Sequence, residues 1–182
     1  MDVRSLEIPD VKLITPQVFL DERGSFLESY HSERLKKAGI VTTFVQDNQS
    51  QSVRGALRGL HYQMPPHAQA KLVRVLQGEI FDVAVDIRAG SPTFGQWVGE
   101  HLSGDSFKSL FIPEGFAHGF LVLSEVAIVL YKCSTHYMPN AEAGLLWNDT
   151  DLAIDWPLKE VILSPKDRMN PRLKELAQAW RD

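Results

Sequence analysis

Between residues 79 and 88, Phe81, Val83, Val85 and Ile87 are separated by Asp82, Ala84, Asp86 and Arg88. This period of two predicts a strand with one greasy face and one face able to meet water. Residues 72–76 and 121–123 predict further strands, and residues 126–131 are apolar enough to be buried on both faces. Gly90-Ser-Pro92 and Ser103-Gly-Asp105 read as turns. Short apolar segments punctuated by Gly, Pro, Asn, Asp and Ser predict an all-β sandwich or barrel rather than alternating strands and helices. Two segments depart from this pattern. Ser32 is placed to cap a helix running to Ala38 and closed by Gly39, and Asn170-Pro171 opens a second helix whose Leu173, Leu176, Ala177 and Trp180 fall on one stripe. Both helices are expected outside the barrel.

With 182 residues, 44% of them hydrophobic, the chain can bury one sizeable core. We therefore expect a single domain over 1–182, with a barrel core over about 44–157 and the C-terminal helix over about 171–180. A net charge of -4 argues against nucleic acid as a partner, because that affinity needs a clustered excess of Lys and Arg. A small anionic ligand needs only a few inward basic residues. The N-terminus lacks a basic segment followed by an apolar run, so no signal peptide is expected, and no apolar run is long enough for a membrane span. Cys133 is the only cysteine; it forms no intramolecular disulfide, fits a reducing cytoplasm, and reads more readily as a small thiol packed in a strand than as a nucleophile. The portable motifs of serine hydrolases, NTPases, zinc ribbons and dinucleotide-binding enzymes are missing.

Candidate chemistry concentrates in Gly55-Ala-Leu-Arg-Gly-Leu-His61-Tyr-Gln63, Lys71 and Pro113-Glu-Gly-Phe-Ala-His118. The spacings resemble the two signature motifs of the cupin superfamily, whose small β-barrels usually hold a metal on two His and a Glu from the first motif and a His from the second. Here Gln63 stands in place of the second His, and Lys71 stands near the place of the carboxylate. A cation in that position suits metal-free chemistry through a negatively charged intermediate. His61 and Gln63, two apart on a strand, should share the interior face. Arg58 has the opposite parity, so it reaches that face only if the backbone bulges near Gly59. His118 is expected to enter the pocket from the neighbouring sheet.

A wider set of motifs runs in order along the chain: Asp21-Glu-Arg-Gly24, Phe44-Val-Gln-Asp-Asn48, Leu57-Arg-Gly-Leu-His61, Lys71-Leu-Val-Arg74, Asp82-Val-Ala-Val-Asp-Ile-Arg88, Gly90-Ser-Pro-Thr-Phe-Gly95, Ile112-Pro-Glu-Gly-Phe-Ala-His-Gly-Phe120, Tyr131-Lys132 and Leu163-Ser-Pro-Lys-Asp167. In these motifs the sequence resembles the dTDP-4-dehydrorhamnose 3,5-epimerase family. The resemblance implies an all-β, cupin-like jelly-roll barrel and a homodimer. It also implies an isomerase without cofactor or metal, acting on a dTDP-linked 4-keto-6-deoxyhexose.

In such a sugar C3 and C5 both flank the carbonyl, so loss of either proton gives an enolate with its charge mainly on O4. The reaction needs a base on one ring face, an acid on the other and positive charge near O4. The resemblance implies His61 as base, Asp167 as the group orienting its ring, Tyr131 as acid and Lys71 as partner of the enolate oxygen, with His118 a second contact there. For the nucleotide it implies Arg23, Arg58 and Lys166 near the diphosphate, Glu28, Gln46, Asp47 and Asn48 on base and sugars, Tyr137 stacked on thymine, and Glu142 as a further ligand. Arg23 and Glu28 are the residues most suited to cross into a partner's site. Three alternatives stand beside this reading. One is an epimerase acting at C3 or C5 alone on a related nucleotide 4-keto sugar. Another is a metal-dependent cupin, disfavoured by Gln63 and Lys71. The third is a binding module without catalysis, disfavoured because base, acid and orienting Asp are all present.

Overall fold

The computed structural model describes residues 1–179, with side chains of the last helix described through Leu176. In chain order the strands are β1 (Asp2–Ser5), β2 (Lys12–Thr15), β3 (Val18–Asp21), β4 (Gly24–Leu27), β5 (Gln46–Val53), β6 (Leu57–Gln63) and β7 (Lys71–Gln77). They continue with β8 (Glu79–Asp86), β9 (Trp97–Ser103), β10 (Ser109–Ile112), β11 (Phe116–Val122), β12 (Val126–Cys133) and β13 (Glu142–Gly144). A six-stranded sheet in the order β1-β2-β10-β7-β12-β5 faces a five-stranded sheet in the order β13-β6-β11-β8-β9, and β3 and β4 form a separate hairpin. Every strand pair is antiparallel. The result is a cupin-like jelly roll. Its six-stranded sheet includes β1 and β2, which lie outside the barrel core expected from the sequence.

The space between the sheets is filled by Val73 and Val75 of β7, Ala127 and Val129 of β12, Ile80 and Ala84 of β8, and Phe116 and Phe120 of β11. These residues follow the alternation of their strands. The expected wet face of β8 is not wet. Phe81, Val83 and Val85 point out of the barrel, but the C-terminal segment covers them with Leu145, Leu152, Leu173 and Leu176. The polar face, with Asp82 and Asp86, points inward and is fully buried. Strand β12, expected to be buried on both faces, alternates instead: Ala127, Val129 and Cys133 are buried while Ile128 and Leu130 keep accessible surface on the outer face.

Helix α1 (Ser32–Lys37) sits on the outer face of the six-stranded sheet, where Leu35 joins Ile14, Leu72 and Phe111. Truncating such a buried leucine to alanine costs about 2–5 kcal/mol. Ser32 is not the cap expected; His31 holds that position without a side-chain hydrogen bond, and Ser32 is the first helical residue. Gly39 closes the helix at φ 83°, a conformation that favours glycine. Helix α2 (Leu173–Ala179) lies against the five-stranded sheet through Leu173 and Leu176; the expected stripe positions Ala177 and Trp180 fall outside the described side chains. No described helix is long and apolar enough to cross a membrane.

Candidate active site

A cavity of about 870 Å³ opens between the two sheets. Arg58, His61, His118 and Phe120 line it from the five-stranded sheet, Ser50, Ser52, Lys71 and Tyr131 line it from the six-stranded sheet, and residues 162–167 close one side. A second hollow of about 370 Å³ shares Arg58, His61, Lys71, Tyr131 and Glu142 with the first and continues to Gln46, Asn48, Gln63 and Tyr137. Shared walls make the two spaces one cleft.

Strand β6 reaches the cleft twice because it is irregular. His118 pairs with His61 and Phe120 with Arg58, so two residues on β11 span three on β6. This bulge brings Arg58 and His61, of opposite parity, to the same cavity. Gly59 permits it: φ is 141°, and a Cβ would stand 2.5 Å from the Cα of Gly119. On the other side of β6, Gly144 of β13 pairs with His61, and a Cβ there would meet the side-chain amide of Asn170 at 2.4 Å. That space lets the turn containing Asp167 close against the strand that carries His61.

His61 Nε2 lies 2.6 Å from Asp167 Oδ1, and Asp167 is only 3% exposed. Burial alone would raise the Asp167 pKa, but hydrogen bonds from His61, Ser164 and the Gly59 backbone amide hold it below the usual carboxylate value. An ionised carboxylate can only accept, so Nε2 carries the hydrogen and Nδ1 keeps its lone pair. On the opposite wall Tyr131 presents a hydroxyl that bonds to no described residue, and burial pushes its pKa up, with Cys133 adding to the rise. Tyr131 therefore stays a protonated donor through neutral pH.

Lys71 shares the wall of Tyr131, its Nζ 6.0 Å from the centre of the Tyr131 ring. It makes no hydrogen bond or ion pair with any described residue. Enclosure by protein lowers its pKa, while Cys133, Asp82 and Glu142 act in the opposite direction. His118 differs from expectation in origin. It comes from β11, next to β6 in the same sheet, because the chain lays these strands side by side. It is 5% exposed, and its Nε2 is 2.7 Å from Asp82 Oδ1. Burial lowers the His118 pKa against the pull of Asp82.

At the other end of the cleft, Tyr137 donates from its hydroxyl to Glu142 at 2.7 Å, and Lys166 pairs with the same carboxylate at 2.5 Å. The Tyr137 ring is half exposed and free to stack. Gln46 donates to Asn48, and its carbonyl accepts the Tyr137 backbone N–H. Arg58 donates to Ser52 at 2.9 Å. Three expected ligands are not brought to this cleft. Asp47 has the other parity on β5 and pairs with Lys132 on the outer face. Arg23 is exposed in the β3–β4 hairpin and paired with Asp21, and Glu28 pairs with Arg34.

Sequence reasoning missed Asp82, which read as the wet face of a strand, and the work of Gln63. The Gln63 amide donates to the carbonyls of His67 and His136 and accepts the Met138 N–H, tying together the loops beside Tyr137. Its replacement of a His was visible; its partners are made by tertiary contact.

The family model for dTDP-4-dehydrorhamnose 3,5-epimerase matches residues 5–175. The chain belongs to this family. It is 54% identical to the dTDP-4-dehydrorhamnose 3,5-epimerase of Shigella flexneri over 92% of this chain and 93% of that one. A Legionella pneumophila dTDP-6-deoxy-D-glucose-3,5-epimerase, solved in complex with dTDP-4-keto-L-rhamnose, superposes with a TM-score of 0.92 at 51% identity, covering 96% of both chains. A 3'-monoepimerase of Streptomyces bikiniensis, solved with dTDP-quinovose, shares the family fold at 34% identity and a TM-score of 0.89, covering 98% of this chain and 95% of its own.

Proposed function

We propose that this protein epimerises C3 and C5 of dTDP-4-dehydro-6-deoxy-D-glucose, giving dTDP-4-dehydro-L-rhamnose. The observation that carries the reading is the placement of His61 and Tyr131 on opposing sheets of one cleft, with Lys71, which makes no hydrogen bond or ion pair with a described residue, beside Tyr131. A sugar ring held in that gap meets a base on one face and a proton donor on the other, which inversion requires. His61 Nδ1 removes the proton next to the ketone, and Asp167 stabilises the imidazolium that forms. Lys71 faces the charge gathering on O4, and Tyr131 returns a proton from the far side. Once His61 has released its proton to solvent and Tyr131 has regained one, the process repeats at the second carbon. Arg58 and the Lys166, Glu142 and Tyr137 group supply the charge and aromatic surface suited to a nucleoside diphosphate.

Double rather than single epimerisation is supported by the higher identity to the Shigella flexneri and Legionella pneumophila 3,5-epimerases, 54% and 51%, than to a 3-epimerase of Streptomyces niveus, 43%, and the Streptomyces bikiniensis monoepimerase, 34%. The same reading makes the protein a cytoplasmic homodimer. Its β3–β4 hairpin belongs to neither sheet and exposes Phe19, Leu20 and Phe26 at 53%, 78% and 71%. A hairpin this apolar needs a partner surface, and it carries Arg23, which its own cleft does not use. The test is incubation with the 4-keto sugar nucleotide in D2O. NMR should show deuterium entering at both C3 and C5 with inverted product. Exchange at one carbon alone would make it a monoepimerase, and no exchange would make it a binder.

A further inference from the structure

Among the described residues, Asp82 is a fully buried carboxylate beside the cleft whose charge is only half used. It is 0% exposed, Oδ1 accepts from His118 Nε2 at 2.7 Å, and Oδ2 has no hydrogen-bond partner. A buried carboxylate with an empty oxygen is costly unless other charges offset it. A cation lining the same cavity as His118 is Lys71, which makes no hydrogen bond or ion pair with a described residue and has the Tyr131 ring as its neighbour. Phe120 of β11 and Glu100 of β9 flank Asp82 in the sheet. The Glu100 carboxylate is engaged by Arg4 at 2.8 Å. From β12 the groups facing Lys71 are Tyr131 and Cys133, and from β13 Glu142, which is already paired with Lys166.

We propose that Asp82 is a positioning residue for the reaction: it fixes His118 with Nδ1 unprotonated toward the cleft, and it supplies the counter-charge that keeps Lys71 an ammonium in an enclosed site. The inference rests on the epimerase reading of the cleft. A carboxylate at Nε2 can only accept, so the ring hydrogen belongs there, and the neutral ring offers the cleft a lone pair. His118 then accepts a hydrogen bond from a sugar hydroxyl or from Lys71 itself and does not donate to the enolate oxygen, which leaves Lys71 as the donor at O4. The bond to His118 leaves Oδ2 without a hydrogen-bond partner, a buried unsatisfied atom that calls for a further role.

The test is Asp82→Asn, whose amide oxygen can still accept from Nε2 while the charge is gone. We expect unchanged thermal melting and dTDP binding, kcat reduced at least tenfold with little change in KM, and the alkaline limb of the kcat profile moved to lower pH by about one unit. A limb that stays in place with kcat within twofold of the parent would overturn the proposal. Should the variant fail to fold, the parent protein still decides the matter through 15N spectra of labelled histidine. His118 should appear as the neutral Nε2–H form from pH 6 to 9, and an Nδ1–H form or a charged ring would overturn the proposal. If the parent itself exchanged no deuterium, the epimerase reading would fail, while the histidine spectra would still test the role of Asp82.

Discussion

His61 Nε2 and Asp167 Oδ1 stand 2.6 Å apart although 106 residues separate them in the chain. The contact exists because Gly59 lets β6 bulge and Gly144 lets the turn holding Asp167 close on it. Asp167→Asn should therefore act through His61 and not through substrate binding. We expect kcat to fall by at least about a hundredfold as the ring loses its fixed tautomer and the imidazolium its counter-charge, with KM changing far less. Steady-state kinetics with dTDP binding as control would check this; a matching rise in KM with unchanged kcat would place Asp167 in binding.

Tyr131→Phe deletes the proton donor and keeps the ring packed between Lys71 and the core. Loss of substrate deuterium exchange and formation of inverted product should separate in this variant. Some exchange should persist through His61, while inverted product falls sharply. Undiminished turnover would reduce Tyr131 to a packing residue.

Lys71 should set an alkaline limit on activity. Only the ammonium can stabilise charge on O4, and its pKa is lowered from 10.5 by enclosure, so kcat should decline as pH rises through a value below 10.5. Tyr131 does not account for this limb, since its pKa is raised from 10.0. Lys71→Arg, with a guanidinium that stays charged, should lose the limb even where geometry lowers the rate. Lys71→Ala should cost about 2.7–4 kcal/mol of transition-state stabilisation, roughly a hundred- to thousandfold in rate.

Asp86, outside the cleft, should contribute to stability in acid. Burial alone would raise its pKa, but Arg88, Ser91 and Thr93 hold it at about 2. A depressed folded-state pKa stabilises the protein above the unfolded value of 3.8 and loses that contribution as pH falls through about 2. Asp86→Asn should lose roughly 2 kcal/mol at pH 7. Urea unfolding should show the gap to the parent narrowing between about pH 4 and 2; a constant gap would mean that the hydrogen bonds matter and the ionisation does not.

Light scattering at micromolar concentration should give about twice the 20.5 kDa chain mass. Leu20→Asp in the exposed hairpin should shift the protein toward monomer and lower activity, because Arg23 would then leave the neighbouring cleft. A fully active monomer would contradict the shared site.

The sequence by itself determined a β-barrel and most of the residues that line its cleft, because both depend on local rules. Period-two alternation in β8, turn residues at 90–92 and 103–105, and the spacing of His61, Gln63 and His118 are properties of neighbouring residues. Even the bulge was legible as a condition, since Arg58 could share the face of His61 only through one, and Gly59 allowed it. The tertiary structure alone decided which face of a strand meets what. Asp82 and Asp86 read as solvent-facing until the C-terminal segment covered the opposite face of β8 and turned the polar side into the barrel. Asp47 read as lining the cleft with Gln46 and Asn48, whereas β5 pairing turns its side chain to Lys132. Alternation says that two faces differ but carries no sign; the sign comes from what packs on each face, and that depends on contacts between residues far apart in the chain.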